Sequence, residues 1–193
     1  VGAEIIGSTD RNIASISNIV LLGMKFMDEV YGTDTEITLK INSIGTNQDR
    51  KKYSKKLIEY FEKHKDSLSN DSQVRLEKNP LRILDSVDQK DIEISLEAPK
   101  FSDFRSKDSN IDYELFKEQI SSVSFDEDQN LVRGLDYYNG VTFEYLPKGK
   151  TGSQETLGGG GQYDSLSTLI GKKQINGVGF AFGVDRILEL LED

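Results

Sequence analysis

Apolar and polar residues alternate in two stretches of the chain and recur at helical spacing in several others. Glu36 to Ile41 alternates cleanly, which predicts a sheet strand with Ile37, Leu39 and Ile41 on one face. Val141 to Tyr145 alternates likewise, with Val141, Phe143 and Tyr145 sharing one face and Thr142 and Glu144 the other. Just before it, Asn139-Gly140 predicts a hairpin-type turn, because both residues tolerate positive φ. Val1 to Gly7 predicts a further short strand, and Val123 to Phe125 one that would lie beside the 131–145 segment. Gln154 to Gly158 predicts a short strand running into four glycines, and Ile175 to Phe182 one with small residues at every second step.

The helical period is as clear. Thr9-Asp10 offers an N-cap to a helix in which Ile13, Ile16, Ile19, Val20, Met24 and Met27 recur before Gly32, the methionines serving as packing. Tyr53, Leu57 and Phe61 step by four, Asn79-Pro80 ends an element, and a closing helix is expected near Ile111 to Ile120. Gly183 to Leu190 reads as an amphipathic helix carrying Ile187, Leu188 and Leu190. With hairpin signals and no regular βαβ period, the expected class is α+β, a mixed, mostly antiparallel sheet flanked by helices. Residues 46–120 read as a mainly helical insertion between core segments 1–45 and 121–193.

Composition narrows the chemistry. The 193 residues include no cysteine and a single histidine, His64, which removes disulfides, thiolate metal sites and multi-histidine sites from consideration. No run approaches the ~18 apolar residues of a membrane span and no signal peptide opens the chain, so a soluble, cytoplasmic protein is expected. A net charge of −9 argues against a general, salt-driven grip on nucleic acid. Cations nevertheless gather locally at Arg50, Lys51, Lys52, Lys55, Lys56, Lys63 and Lys65, which read on their own as a solvated helix face. Asp85, Asp88, Asp91, Glu93 and Glu97 lack the glycine-centred spacing of a calcium loop. Gly158 to Gly161 has neither the dinucleotide fingerprint nor a following Gly-Lys-Ser/Thr, and taken alone reads as a mobile turn whose backbone a ligand could approach closely. The chain opens on Val1 with a strand at once, which suggests a piece of something larger.

The densest chemistry lies in Leu131 to Tyr145, where Arg133, Asp136, Glu144 and three tyrosines share fifteen residues with two glycines. Arg133 offers a permanently charged fork suited to phosphate or carboxylate, or it pairs with Asp136 as a structural bridge. Glu4 reads on its own as an exposed strand carboxylate. Arg186, in the first turn of its helix, reads on its own as a surface bridge to Asp185 or Glu189.

Leu131 to Tyr138 resembles the first signature motif of histidyl-tRNA synthetases. Leu157 to Leu166 is similar to the second, a glycine run followed by Arg-Tyr-Asp-Gly, and Gly177 to Ile187 is similar to motif 3 of class II aminoacyl-tRNA synthetases. Asn42 to Gly45 and Asn79 to Ser86 resemble stretches of the bacterial-type enzyme around its insertion domain, so the likeness spans nearly the whole chain in order. Two positions depart from the pattern: Gln162 stands where arginine is usual and Ser165 where glycine is usual.

The resemblance implies a class II synthetase sheet and an ATP-dependent histidine–tRNA ligase. Histidine would be activated to histidyl-adenylate and transferred to tRNA(His). Arg133 would be catalytic and contact ATP, Glu4, Tyr137, Tyr138 and Tyr163 would seat histidine, and Arg186 would hold ATP against its adenine. Gly159, Gly160 and Gly179 would give pocket backbone, Mg²⁺ would accompany ATP with no protein ligand assigned, and the insertion would approach the tRNA acceptor stem. It further implies a homodimer in the full-length protein, and motifs 1 and 2 outside this chain, so that the chain alone is expected to activate histidine poorly. The alternatives are a histidine-sensing regulatory subunit of ATP phosphoribosyltransferase and a degenerate synthetase domain acting as an RNA-binding regulator.

Overall fold

The computed structural model describes residues 1–8, 13–32, 37–132, 137–150, 155–171 and 173–192. The N-cap expected at Thr9-Asp10, Gln154 and the whole of Arg133 to Asp136 lie outside the described residues. Among those described, six strands form one sheet: β1 (Gly2–Ser8), β2 (Ile37–Ser43), β3 (Phe125–Glu127), β4 (Asn139–Pro147), β5 (Gly158–Gln162) and β6 (Asn176–Phe182). Their order is β1-β6-β5-β4-β2-β3, antiparallel throughout except that β2 and β3 run parallel. The expected class, a mixed and mostly antiparallel sheet flanked by helices, is what the chain adopts.

One face of the sheet is the core. Its rows read Ala3, Phe180, Gly160, Phe143, Ile41 and then Phe182, Gly158, Tyr145, Leu39 across neighbouring strands. Against them pack α1 (Ile13–Tyr31), α5 (Lys107–Gln119) and, after the short α6 (Leu166–Ile170), α7 (Val184–Glu192); their Ile16, Ile19, Val20, Met27, Tyr113, Phe116 and Ile187, with Ile120 at the end of α5, complete one buried cluster. α1 can lie this close because position 23 is glycine. A Cβ there would sit 2.2 Å from the Tyr145 hydroxyl, which donates to the Val20 carbonyl at 2.9 Å. α5 falls inside the span read as insertion, yet it packs on α1, and Ser106 caps it about four residues earlier than the apolar period suggested.

A second cluster gathers Tyr53, Leu57 and Phe61 of α2 (Asn47–Phe61), Leu76 of α3 (Asn70–Lys78), Leu68 just before α3, and Leu81, Ile83 and Phe101 from short 3-10 turns. The four-residue stripe read from the sequence is therefore the buried face of α2. Within the acidic stretch Asp91 is structural: fully buried on α4 (Gln89–Leu96), it accepts from the hydroxyls of Ser69 and Ser72 at 2.6 Å and Ser86 at 2.7 Å. Burial alone would raise its pKa, but these donors outweigh it and hold the carboxyl below the usual range.

Three strand expectations are corrected. Phe125 pairs with Leu39 in parallel at the sheet edge and not beside 131–145, because β4 is already bonded on both sides by β2 and β5. The strand expected to end at Gly158 begins there, and the glycines themselves are β5. Asn139-Gly140 is no hairpin turn but a register irregularity at the start of β4, with Gly140 at φ 63°. The Gln162 side chain fills the space a Cβ at Gly140 would need, its Oε1 accepting from Val141 N at 2.8 Å.

Candidate active site

The other face of the sheet is floored by small residues. Antiparallel partners point to the same face, so Glu4, Gly179, Gly161, Thr142 and Asn42 form one row, and Gly2, Ala181, Gly159, Glu144 and Lys40 the next. With Gly177 ahead of Gly179, the result is a trough about 13 Å long measured along β6 at strand rise.

At one end stands Glu4, whose Oε1 accepts from the Tyr163 hydroxyl at 2.7 Å. Burial, then the bond to Glu4, pushes the Tyr163 phenol well above its ordinary pKa, so it stays a donor. Glycines set this arrangement. A Cβ at Gly177 would come within 2.3 Å of the Tyr163 ring, one at Gly179 within 2.7 Å of Glu4 Cγ, and one at Gly161 within 3.0 Å of the Tyr138 ring. Tyr137, Tyr138 and Tyr163 face one another with ring centroids 4.9 to 6.3 Å apart, forming an aromatic wall with Glu4 at its edge.

At the other end, Arg186 on α7 donates through Nη1 to the Thr156 carbonyl, and the Thr156 hydroxyl donates to Glu144 Oε2 at 3.1 Å. Glu144 is thus a buried carboxylate on the trough side of β4. Between the ends, Asn42 Nδ2 at 3.1 Å and Thr142 Oγ1 at 3.3 Å both donate to the Leu131 carbonyl. That pins the chain across the floor row two residues before Arg133, which itself lies outside the described residues.

The structure therefore brings Glu4, Tyr137, Tyr138 and Tyr163 together and sets Arg186 at the far end of the same trough. Gly159 and Gly179 belong to the floor, whereas Gly160 sits in the core row between Phe143 and Phe180. Gly161, Gly177, Asn42, Thr142, Glu144 and Thr156 also belong to this site, and none of them was among the site residues expected from the sequence. The alternation of β4 already put Thr142 and Glu144 on a common polar face, which was the available signal. Asn139 and Asp164 bond reciprocally, Nδ2 to Oδ2 at 2.9 Å and Asp164 N to Asn139 Oδ1 at 2.8 Å, joining the entry of β4 to the loop after β5. No group of three or more His, Asp or Glu side chains among the described residues could hold a metal ion.

The comparisons with known proteins agree with one another. Residues 64–187 match the family model for histidyl-tRNA synthetase. A histidine–tRNA ligase of Neorickettsia sennetsu is 39% identical over 174 residues, covering 89% of this chain and 41% of that protein. One of Pediococcus pentosaceus is 38% identical over 197 residues, covering 99% and 45%. The chain thus spans less than half the length of these relatives. An apo histidyl-tRNA synthetase from S. aureus superposes with a TM-score of 0.74 at 31% identity, over 99% of this chain and 46% of that one. An ATP phosphoribosyltransferase regulatory subunit/histidyl-tRNA synthetase from Bacillus halodurans, at 21% identity and TM-score 0.60, shares the fold. The family match, the trough and the tyrosine wall lead to one conclusion: the chain belongs to the histidyl-tRNA synthetase family.

Proposed function

We propose that this chain supplies the histidine-binding end, and part of the ATP-binding end, of a histidine–tRNA ligase active site. The observation that carries the reading is the Glu4–Tyr163 bond at the edge of the aromatic wall. It presents a carboxylate fixed in one orientation, able to take an α-ammonium or an imidazole N–H, beside three rings that can flank the imidazole. The glycine and alanine floor leaves room for backbone-close passage of an acyl phosphate toward Arg186, whose flat guanidinium suits stacking on adenine.

In the reaction so framed, the histidine carboxylate attacks the α-phosphorus of ATP and pyrophosphate leaves; a hydroxyl of the 3′-terminal ribose of tRNA(His) then attacks the acyl carbon of the adenylate, and AMP leaves. Charge building on the α-phosphate calls for a fixed cation, and Arg133 is the candidate. Asn42 and Thr142 would hold the chain leading into it. Mg²⁺ would enter with ATP and screen its phosphates. The lysines of α2, Lys51, Lys52, Lys55 and Lys56, are exposed while Tyr53 and Leu57 are buried, a division that suits contact with a phosphate backbone of the acceptor stem. The full-length protein would act as a homodimer in the cytoplasm.

The test is histidine-dependent exchange of pyrophosphate into ATP by a polypeptide of the relatives' full length. Exchange that requires histidine and disappears in Arg133→Ala supports the reading. Histidine binding without exchange would reassign the protein to histidine sensing.

A further inference from the structure

The wall of the trough is packed by the insertion, not by the sheet's own core. Tyr138 and Val132 belong to the cluster built on Tyr53, Leu57 and Phe61, and Tyr137 and Tyr163 pack against it. Three of the first four residues of α2 are tied to this region or to α5. Asn47 Nδ2 donates to Ser165 Oγ at 2.9 Å. Asp49 closes a capping box with Thr46 and accepts from Ser109 Oγ at 2.7 Å, which fixes the helix start against α5. Arg50 Nη1 donates to the Tyr138 carbonyl at 2.6 Å.

In the sequence Arg50 looks like one more cation of a lysine run. In the structure it turns inward, half-buried, while Lys51, Lys52, Lys55 and Lys56 stay exposed. A guanidinium bond to a carbonyl is among the stronger hydrogen bonds. Its acceptor here is the backbone of a residue whose ring lies against the Gly161 floor and 6.3 Å from the Tyr163 ring. Immediately after Tyr138, the Asn139–Asp164 pair and the bond from Gly140 N to the Gly45 carbonyl at 2.8 Å hold the far side of the same peptide segment. Arg50 holds the near side.

We propose that Arg50 is a positioning residue for the histidine pocket. By holding the Tyr138 carbonyl it sets the Tyr138 ring against Gly161 and Tyr163, so that the seating of the insertion helix determines the shape of the amino-acid end of the trough. This rests on the reading of Glu4, Tyr138 and Tyr163 as the seat of histidine.

Pyrophosphate exchange in the full-length protein, with KM measured separately for histidine and ATP, tests it. Arg50→Ala should raise KM for histidine about tenfold, the loss expected of one charge-assisted hydrogen bond, while KM for ATP stays within about twofold. Arg50→Gln, which keeps a neutral donor on a similar stem, should fall between, and it serves alone if the alanine variant does not fold. Equal changes in both KM values, or none in either, overturn the proposal while leaving the active-site reading intact. A wild-type protein without histidine-dependent exchange removes that reading and the proposal with it.

Discussion

Gly177→Ala separates the trough from the fold. A Cβ at Gly177 would lie 2.3, 2.8 and 3.1 Å from Cε2, Cδ2 and Cζ of Tyr163, so its three nearest contacts are all on one ring and none is backbone. Carbon atoms pack at about 3.5 Å or more, so the ring must retreat by about 1.2 Å. The Tyr163–Glu4 bond is 2.7 Å long, and a shift of that size takes the hydroxyl out of hydrogen-bonding range. Losing a hydrogen bond to a charged group costs about 1.5–3 kcal/mol, which is roughly 10- to 150-fold in histidine binding if Glu4 must be held to receive it. Stability should change little, within about 1 kcal/mol, because only a partly exposed side chain is displaced. The assay is KM for histidine in pyrophosphate exchange by the full-length protein, run beside thermal unfolding. Tyr163→Phe, which keeps the ring and removes the hydroxyl, should show a similar rise. An unchanged KM in Gly177→Ala, or a melting temperature lowered by more than about 10 °C, would refute the reasoning.

Other substitutions probe the frame around the site. Gly23→Ala gains up to ~1 kcal/mol of helix propensity but drives a methyl to 2.2 Å from the Tyr145 hydroxyl, so a net loss of about 1–2 kcal/mol is expected in urea unfolding. A variant as stable as wild type contradicts that packing. Gly140→Ala places a side chain at φ 63° and against Gln162, and should destabilise by about 1–2 kcal/mol, part of it relieved when Gln162 is also alanine. The Asp91 carboxyl is held below its unfolded pKa of about 4, so its contribution to stability is present above that pH and lost as pH falls through the lower folded value. Asp91→Asn should therefore be less stable than wild type at pH 7, with the gap closing below about pH 4; a pH-independent gap would show that the charge is not what matters.

Where pairing and burial follow from local pattern, the sequence was readable. The alternation of Ile37 to Ile41 and Val141 to Tyr145 matches β2 and β4, and the four-residue stripe of α2 matches its buried face. Gly158 to Gly161 could not be read as a strand, because glycine brings no side chain and no strand preference. Its conformation is imposed by β4 and β6 on either side. Asn139-Gly140 carried a true signal of positive φ, but whether that means a turn or a bulge depends on Gln162, a residue 22 positions on from Gly140 that fills the bulge. The tyrosines and Glu4 were found as candidates through family likeness, and the bond joining Glu4 to Tyr163 spans 159 residues. The Arg50 contact to Tyr138 spans 88, and no local pattern distinguishes that arginine from the lysines around it. Contacts between such distant positions are a property of the folded sheet, which is why the trough as a whole emerged only with the strand register.

The most direct test of the account is calorimetric titration of L-histidine into the full-length protein, wild type and Glu4→Gln, without ATP. The wild type should bind, and the variant should lose affinity by about tenfold or more, because the substitution removes the charge proposed to receive histidine. Equal affinity in the two proteins would contradict the placement of histidine at the Glu4–Tyr163 end of the trough.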